Sequence, residues 1–265
     1  MIIYEIINEE NSLLSGVLLY YEKEGSCIIE LPEYLDEKNV PSFCISYVKN
    51  GIYTIPRNIS FLWVKERVRL AHGRNENEIL SSNHLQLYDL MNLLEISKGK
   101  SSQDNFYIKK TDRLPDFIAE RQLRNIAECV LLDDLSILCF FLDGITKKID
   151  FRNINGINSI EKIITNERVY NSGKVGIGGY FITFNDSIDI PSTILYDSGI
   201  LIPLGLNDFE AFVKKNVWDT MESGEILNCT RQNISYMVRR NRLKPIKTNV
   251  KGNLYLKGNV LQTMW

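Results

Sequence analysis

Long hydrophobic runs, closely spaced cysteines and histidines are all scarce in this 265-residue chain, and each scarcity excludes something. The longest uninterrupted apolar run, Ile137–Leu142, falls far short of the roughly 20 residues that cross a bilayer, so no membrane partner is expected. Near the start, Glu5 interrupts the apolar letters before an h-region forms and no basic n-region precedes them. A secretory signal is therefore not expected, and a cytoplasmic location is. The five cysteines (Cys27, Cys44, Cys129, Cys139, Cys229) are odd in number and scattered, which fits reduced thiols rather than a disulfide framework. With only His72 and His84 available, no Cys-x-x-Cys, His-Glu-x-x-His or finger-type ligand set can be written, and neither a metal nor any other cofactor is expected. Composition, 44% apolar and 24% charged, excludes collagen, disorder and a coiled-coil rod and leaves a globular protein of two or three modest domains.

The most informative shortage is local. From Thr230 to Trp265 there is no Asp or Glu, whereas Arg231, Arg239, Arg240, Arg242, Lys244, Lys247, Lys251 and Lys257 give that segment a charge of +8. Since the whole chain carries only −2, residues 1–229 sum to −10. One end is basic and the rest is acidic.

What is present reads as α+β. Ile2–Ile7, Val17–Tyr21 and Cys27–Leu31 are β-branched and aromatic, separated by Asn8-Glu9-Glu10-Asn11 and Glu22-Lys23-Glu24-Gly25, and predict a small antiparallel sheet. Gly51–Pro56 reads as extended, with its proline confining it to an edge or an end. Asn58–Val64 offers large apolar residues, Trp63 among them, for a central position in the core, and helices are expected only after the charged Lys65-Glu66-Arg67. The helical spacing is read at Asn77–Leu80, Tyr88–Glu95 and Leu114–Ile126, the last with Pro115 in its first turn. The resulting domains are 1–126, a mixed α+β domain; 127–204, a smaller α+β domain; and 205–265.

In the middle stretch, Leu135–Leu142 and Ile145–Phe151 flank Asp143-Gly144, a preferred two-residue hairpin turn. A short helix follows at Ser159–Thr165, then a second hairpin runs from Tyr180–Phe184 through Asn185-Asp186-Ser187 to Ile188–Pro191, closing on a helical turn that ends at Gly199. The apolar strand, Asp-Gly turn, returning strand ending in Asp150, Gly179 and Ile-Asp-Ile-Pro at Ile188–Pro191 resemble the small bacterial domain of unknown function 2442 over about 75 residues. That resemblance implies a small α+β fold and no assigned reaction. Residues 51–99 resemble the front half of Firmicutes proteins that end in a helix-turn-helix.

At the C-terminal end, Asn207–Trp218 sets Phe209, Phe212, Val213 and Val217 on one helical stripe, with Asn207 or Asp208 as N-cap, and reads as a docking helix. Thr220 is placed to cap a helix through Glu222 to Asn228, in which Gly224 permits a close helix crossing. Cys229 falls in the turn, and Thr230 caps a second helix, Arg231–Arg240, whose Ile234, Met237 and Val238 face inward. Asn241 is a left-handed stop. With Leu243-Lys244-Pro245-Ile246 and the strand-like Asn253–Leu256 behind it, this pattern resembles the winged helix-turn-helix of MerR-like and excisionase-like DNA binders over about 45 residues. The family's Leu-Gly-Val-Ser-Arg-Gln-Thr-Val corresponds to Leu227–Ile234, and its Arg-Arg-Gly-Arg-Leu to Arg239–Leu243. Both family glycines are replaced by asparagine, at Asn228 and Asn241.

The residue chemistry points the same way. A helix whose N-terminal turn enters the major groove presents Arg231, Gln232 and Asn233 to base edges, where these side chains make bidentate contacts, and Tyr236 one turn later reaches a thymine methyl or a phosphate. Thr230, Arg239, Arg240, Arg242, Lys244, Lys247 and Lys251 are assigned to phosphates, fixing register more than sequence. Neutralising about five phosphates would give a slope of log affinity on log salt of about −4.5. The expected function is a sequence-specific DNA-binding regulator of its own operon or of a mobile element, acting on double-stranded DNA as a homodimer. The rival reading is a protein-binding module, an antitoxin or nuclease inhibitor, holding a protein partner through residues 1–204. Enzymatic activity is not expected, because no nucleophile and base can be paired: Gly176-Ile177-Gly178-Gly179 lacks a following Gly-Lys-Ser/Thr, and Ser101–Asn105 reads as a turn. Asp143, Asp150, Asp186 and Asp189 read as turn formers and strand ends.

Overall fold

The computed structural model describes residues 1–72, 87–155, 157, 159–202, 204, 206–250 and 252–264. The helix expected at Asn77–Leu80 and His84 lie outside them, as does the side chain of His72. The chain is α+β with antiparallel sheets and divides into two compact units, Met1–Ala119 and Glu120–Trp265.

In the first unit, β1 (Ile2–Asn8), β2 (Leu14–Tyr21) and β3 (Ser26–Glu30) form the expected meander. The sheet order is β4-β3-β2-β1-β5, with β4 (Thr54–Ile55) at one edge beside Pro56, where a missing N–H costs no ladder bond. The other edge, β5 (Phe106–Thr111), was not read from the sequence. Only its Phe106 and Ile108 point inward, and Lys109 and Lys110 stay exposed.

Two helices pack on this sheet after the short α1 (Ile45–Lys49). The first, α2 (Arg57–His72), corrects the expectation that helices begin only after Arg67. Ser60, Val64, Arg67 and Val68 are all buried, a period of i, i+4, i+7 and i+8 that is helical, and Leu62 consequently faces outward. Trp63 and Val64 do join the core, together with Leu90, Met91 and Leu94 of α3 (Leu87–Ile96). Arg67 is buried among polar partners: it donates to the Gly99 and Phe106 carbonyls at 2.9 and 3.0 Å and to Asp104 at 2.6 Å.

The boundary between units falls within α4 (Asp116–Gln122), which Pro115 precedes; this helix is shorter than Leu114–Ile126, because Ile126 already belongs to a strand. That strand, β6 (Ile126–Leu131), joins β7 (Ser136–Phe141) and β8 (Thr146–Asp150), the hairpin read around Asp143-Gly144. Beyond α5 (Ile160–Thr165) and α6 (Glu167–Asn171) comes β9 (Lys174–Val175). Ile177–Gly179 then leads by a 3-10 turn into the second hairpin, β10 (Phe181–Phe184) and β11 (Ile188–Pro191), and α7 (Ser192–Ser198) closes it. Phe151 stands edge-on to Tyr170 and Phe184 in the core of this region, with centroids 5.8 and 5.6 Å apart, a favourable arrangement of ring quadrupoles. The four-stranded sheet ends in β12 (Ile200–Leu201), ordered β12-β8-β7-β6.

Next, α8 (Leu206–Asn216) docks as expected: Phe212 packs on Phe140 at 4.8 Å and Lys215 Nζ donates to the Leu131 carbonyl at 3.0 Å. Three details differ from the sequence reading, the first being that Val213 of the expected stripe is exposed. Asn207 and Asp208 lie within the first turn rather than capping it, and Val217 has left the helix for β13 (Val217–Trp218).

Candidate nucleic-acid interface

The C-terminal region is built from α9 (Thr220–Ile226), α10 (Arg231–Arg239), β14 (Lys247–Val250), β15 (Gly252–Leu256) and α11 (Lys257–Gln262). The strands form a small antiparallel sheet ordered β13-β15-β14. A compact core holds the pieces together: Ile234, Leu243, Tyr255 and Val260 are buried, flanked by Trp218, Leu227, Cys229, Met237 and Val238. The inward set expected for α10, Ile234, Met237 and Val238, thus faces this core.

Backbone chemistry at the helix ends explains the local geometry. Asp219, not Thr220, caps α9: its carboxylate accepts from Met221 N and Glu222 N at 2.6 and 2.9 Å, and Glu222 returns an acceptor to Asp219 N at 2.8 Å. This reciprocal box satisfies orphan donors that a threonine one residue later would leave open. Thr220 Oγ1 instead accepts from Asn253 N at 3.5 Å, linking the helix to the β14–β15 turn.

Both helices then stop in the same way. Asn228 and Asn241 adopt left-handed φ values of 48° and 55°. After α9, Cys229 N reaches the Gly224 carbonyl at 2.9 Å and Asn228 N the Glu225 carbonyl at 3.2 Å. After α10, Arg242 N reaches Met237 and Asn241 N reaches Val238, at 2.9 and 3.0 Å. These are two Schellman closures with asparagine where glycine is usual. Gly224 is required at the first of them, because a Cβ there would meet the Cys229 carbonyl at 2.9 Å.

Between the closures, Thr230 caps α10 by accepting from Asn233 N at 3.3 Å. Arg231, Gln232 and Asn233, the first three residues of the helix, are exposed, and Tyr236 is exposed on the following turn. The structure therefore exposes the four residues assigned to base edges along the first two turns of one helix. Arg231 Nη2 lies 3.2 Å from Met221 Sδ, and the Arg240 guanidinium sits 5.3 Å from the Tyr236 ring centroid. Thr230, Arg239, Arg240, Arg242, Lys244 and Lys247, assigned to phosphates, are exposed around the same helix and the strand that follows; Lys251 lies outside the described residues. Among the described residues, none of these cations has a carboxylate within ion-pair distance.

Two features here were not read from the sequence. Lys257–Gln262 forms α11, although Gly258 weakens helix propensity at its start. The reason is tertiary: Glu128 Oε2 on β6 accepts from Gly258 N at 2.8 Å while Oε1 accepts from Cys129 N at 3.0 Å. A Cβ at residue 258 would stand 2.8 Å from the Ala127 carbonyl, so glycine permits this approach. Burial pushes the Glu128 carboxyl above its ordinary pKa, opposed by the Lys257 charge and the two backbone donors. A carboxylate 128 residues into the chain thus caps a helix near its end, a pairing that no local pattern announces.

Elsewhere the polar groups weighed as chemical candidates have structural partners. Asp143 accepts from Ile145 N and Tyr196 OH at 2.9 and 2.7 Å, Asp150 caps a 3-10 turn and pairs with Arg152, and Asp186 pairs with Lys174. Among the described residues, no group of three His, Cys, Asp or Glu side chains is placed to hold a metal ion, and no helix is long and apolar enough to cross a membrane. Four of the cysteines are buried free thiols, and burial pushes those of Cys27 and Cys129 up to about 12. No family model, curated protein or solved structure matches this chain.

Proposed function

We propose that the chain is a sequence-specific DNA-binding protein, a transcriptional regulator whose residues 205–265 form a winged helix-turn-helix with α10 as the recognition helix. One observation carries this reading: Arg231, Gln232 and Asn233 are exposed together on the capped first turn of a helix whose opposite face is fixed by buried Ile234. Side chains of these types match guanine and adenine edges, and a helix anchored on one side can hold them in register. The exposed cations around them, without carboxylate partners among the described residues, supply the phosphate contacts that set orientation. A homodimer on a pseudo-palindromic site follows from having one such helix per chain.

The test is selection of bound duplexes from a random-sequence pool, followed by titration of the winner and of unrelated DNA. The Arg231→Ala, Gln232→Ala double variant removes two base contacts worth about 1–3 kcal/mol each. Selective binding should therefore disappear while weak, salt-sensitive binding remains. Equal affinity of the wild type for all duplexes would sink the proposal.

A second reading, a protein-binding module with an autoregulatory DNA-binding tail, is favoured by β12. Ile200 and Leu201 there are 71% and 67% exposed on a sheet edge, a combination that invites strand addition by a protein partner. Stoichiometric co-purification of a partner that is lost on Ile200→Lys would favour it.

A further inference from the structure

Where α10 stops, a groove of about 210 Å³ runs between the residues that follow it and α11. Asn241, Arg242 and Lys244 line one side; Asn259, Gln262 and Thr263 line the other. The donor set is one-sided. Two cations and three carboxamides face it, no carboxylate does among the described residues, and the nearest Asp or Glu in sequence lies before Thr230. The Thr263 hydroxyl is already given to the Val260 carbonyl at 2.8 Å. Such a lining fits an anion and repels a cation.

Size narrows the anion further. Pockets for whole small molecules measure roughly 300–1,000 Å³, and this groove is smaller and open to solvent, so it suits one charged group of a longer ligand. Its position narrows it again. Ten residues separate Arg231 from Asn241, so at about 1.5 Å per residue the groove lies roughly 15 Å from the base-reading turn. A major groove is about 12 Å wide, which puts the far end of an inserted helix against the backbone that borders it. The negative end of the α10 dipole opposes a phosphate there, and Arg240, Arg242 and Lys244 outweigh it.

We propose that α11 and the α10 stop together form a clamp for a single DNA phosphodiester, with Asn259 and Gln262 donating from α11 and Arg242 and Lys244 supplying charge. This inference rests on the DNA-binding reading and adds to it a contact surface C-terminal to the wing.

The full-length chain tests it. Gln262→Glu places a negative charge in the groove, and Asn171→Asp, at an exposed position of α6, adds the same charge elsewhere. Gln262→Glu should weaken binding to the selected duplex and to unrelated DNA by the same factor, about tenfold at 0.1 M salt, because phosphate contacts carry no sequence information. Gln262→Ala, which cannot repel, should weaken both by a few-fold, and Asn171→Asp should change neither; unfolding curves for each variant confirm that the chain stays folded. Wild-type affinity in Gln262→Glu, with selectivity still lost in the Arg231→Ala, Gln232→Ala variant, overturns the clamp and leaves the DNA-binding reading standing. Failure of the wild type to bind any duplex overturns both. In a separate arm, inorganic phosphate is titrated alone by calorimetry. No saturable binding at millimolar concentration is expected, and saturable binding that Gln262→Glu abolishes without altering DNA affinity would assign the groove to free phosphate and overturn the clamp.

Discussion

Before Thr230, several lysines and arginines on the surface meet acids: Lys49 reaches Glu37 at 3.0 Å, Lys100 reaches Glu9 at 2.6 Å, Lys174 reaches Asp186 at 2.8 Å and Arg152 reaches Asp150 at 2.7 Å. After it, Arg231 rests on Met221 and Arg240 on the Tyr236 ring, while Arg239, Arg242, Lys244 and Lys247 have no carboxylate within reach among the described residues. Exposed ion pairs stabilise a fold by only about 0–1 kcal/mol, so little stability rides on either arrangement. The difference lies in availability. A cation already neutralised must give up a partner before it can bind a phosphate, whereas an unpaired one releases counterions at once.

The two regions also differ in how much core they possess, and that sets the largest predicted effect. The first unit buries an extended cluster that includes Tyr4, Leu18, Ile29, Val64 and Leu94, whereas the C-terminal core has four buried apolar side chains among the described residues. Ile234→Ala should cost about 2–5 kcal/mol, enough to melt so small a core. Amide hydrogen exchange would then show α10 and β15 unprotected and β1 and β2 unchanged, with DNA binding lost. Exchange that rises equally throughout the chain would break the comparison.

A smaller effect separates paired from unpaired cations. Replacing Arg242 and Lys244 by glutamine should reduce the salt slope of DNA binding by about 2. The same replacement at Lys49 and Lys100, which are held by acids, should leave the slope unchanged. Binding titrations from 50 to 200 mM salt read both.

The comparison sharpens again at two carboxylates whose pH responses have opposite signs. Glu95 accepts from Lys110 and Tyr4 at 2.8 and 2.7 Å, and these hydrogen bonds hold its pKa below the ordinary value. Its contribution is present above the unfolded pKa, about 4.3, and is lost as pH falls through the folded one. Glu128 is raised instead, by burial. Its contribution is full below the unfolded pKa and is lost as pH rises through the folded value. Stability measured from pH 3 to 7 should therefore show the advantage of wild type over Glu95→Gln shrinking toward acid and that over Glu128→Gln growing. Parallel curves would mean that the two carboxylates share one environment.

Much of this architecture was legible locally. Hairpins announced themselves through turn residues, as at Asp143-Gly144, and α10 through its cap, its inward spacing and its stop. The missed elements share a cause: their signal lies elsewhere in the chain. Arg67 is one more letter of the charged Lys65-Glu66-Arg67 until Asp104 and the Gly99 and Phe106 carbonyls surround it, and α11 has a weak start until Glu128 caps it. The α9 cap is different. Asp219 and Glu222 stand at capping-box spacing, and aspartate is at least as good an N-cap as threonine, so this cap has a purely local signal.

The smallest effect concerns the two asparagines, which occupy equivalent stops and have unequal surroundings. Left-handed φ costs a residue with a side chain more than it costs glycine, but glycine loses more chain entropy on folding, so either Asn→Gly change should stabilise by only about 0.5 kcal/mol. By the same reasoning Asn228→Ala and Asn241→Ala should each destabilise, by about 1 kcal/mol. Stability alone therefore treats the positions alike. DNA affinity should not, because Asn241 lines the groove against α11 and Asn228 does not. Asn241→Gly is expected to gain stability while losing a few-fold in affinity on every duplex, whereas Asn228→Gly gains the same stability at unchanged affinity. Chemical denaturation paired with titration of one selected and one unrelated duplex distinguishes them. If both glycine variants bind as wild type does, Asn241 is only a helix stop, and the groove loses one of its donors.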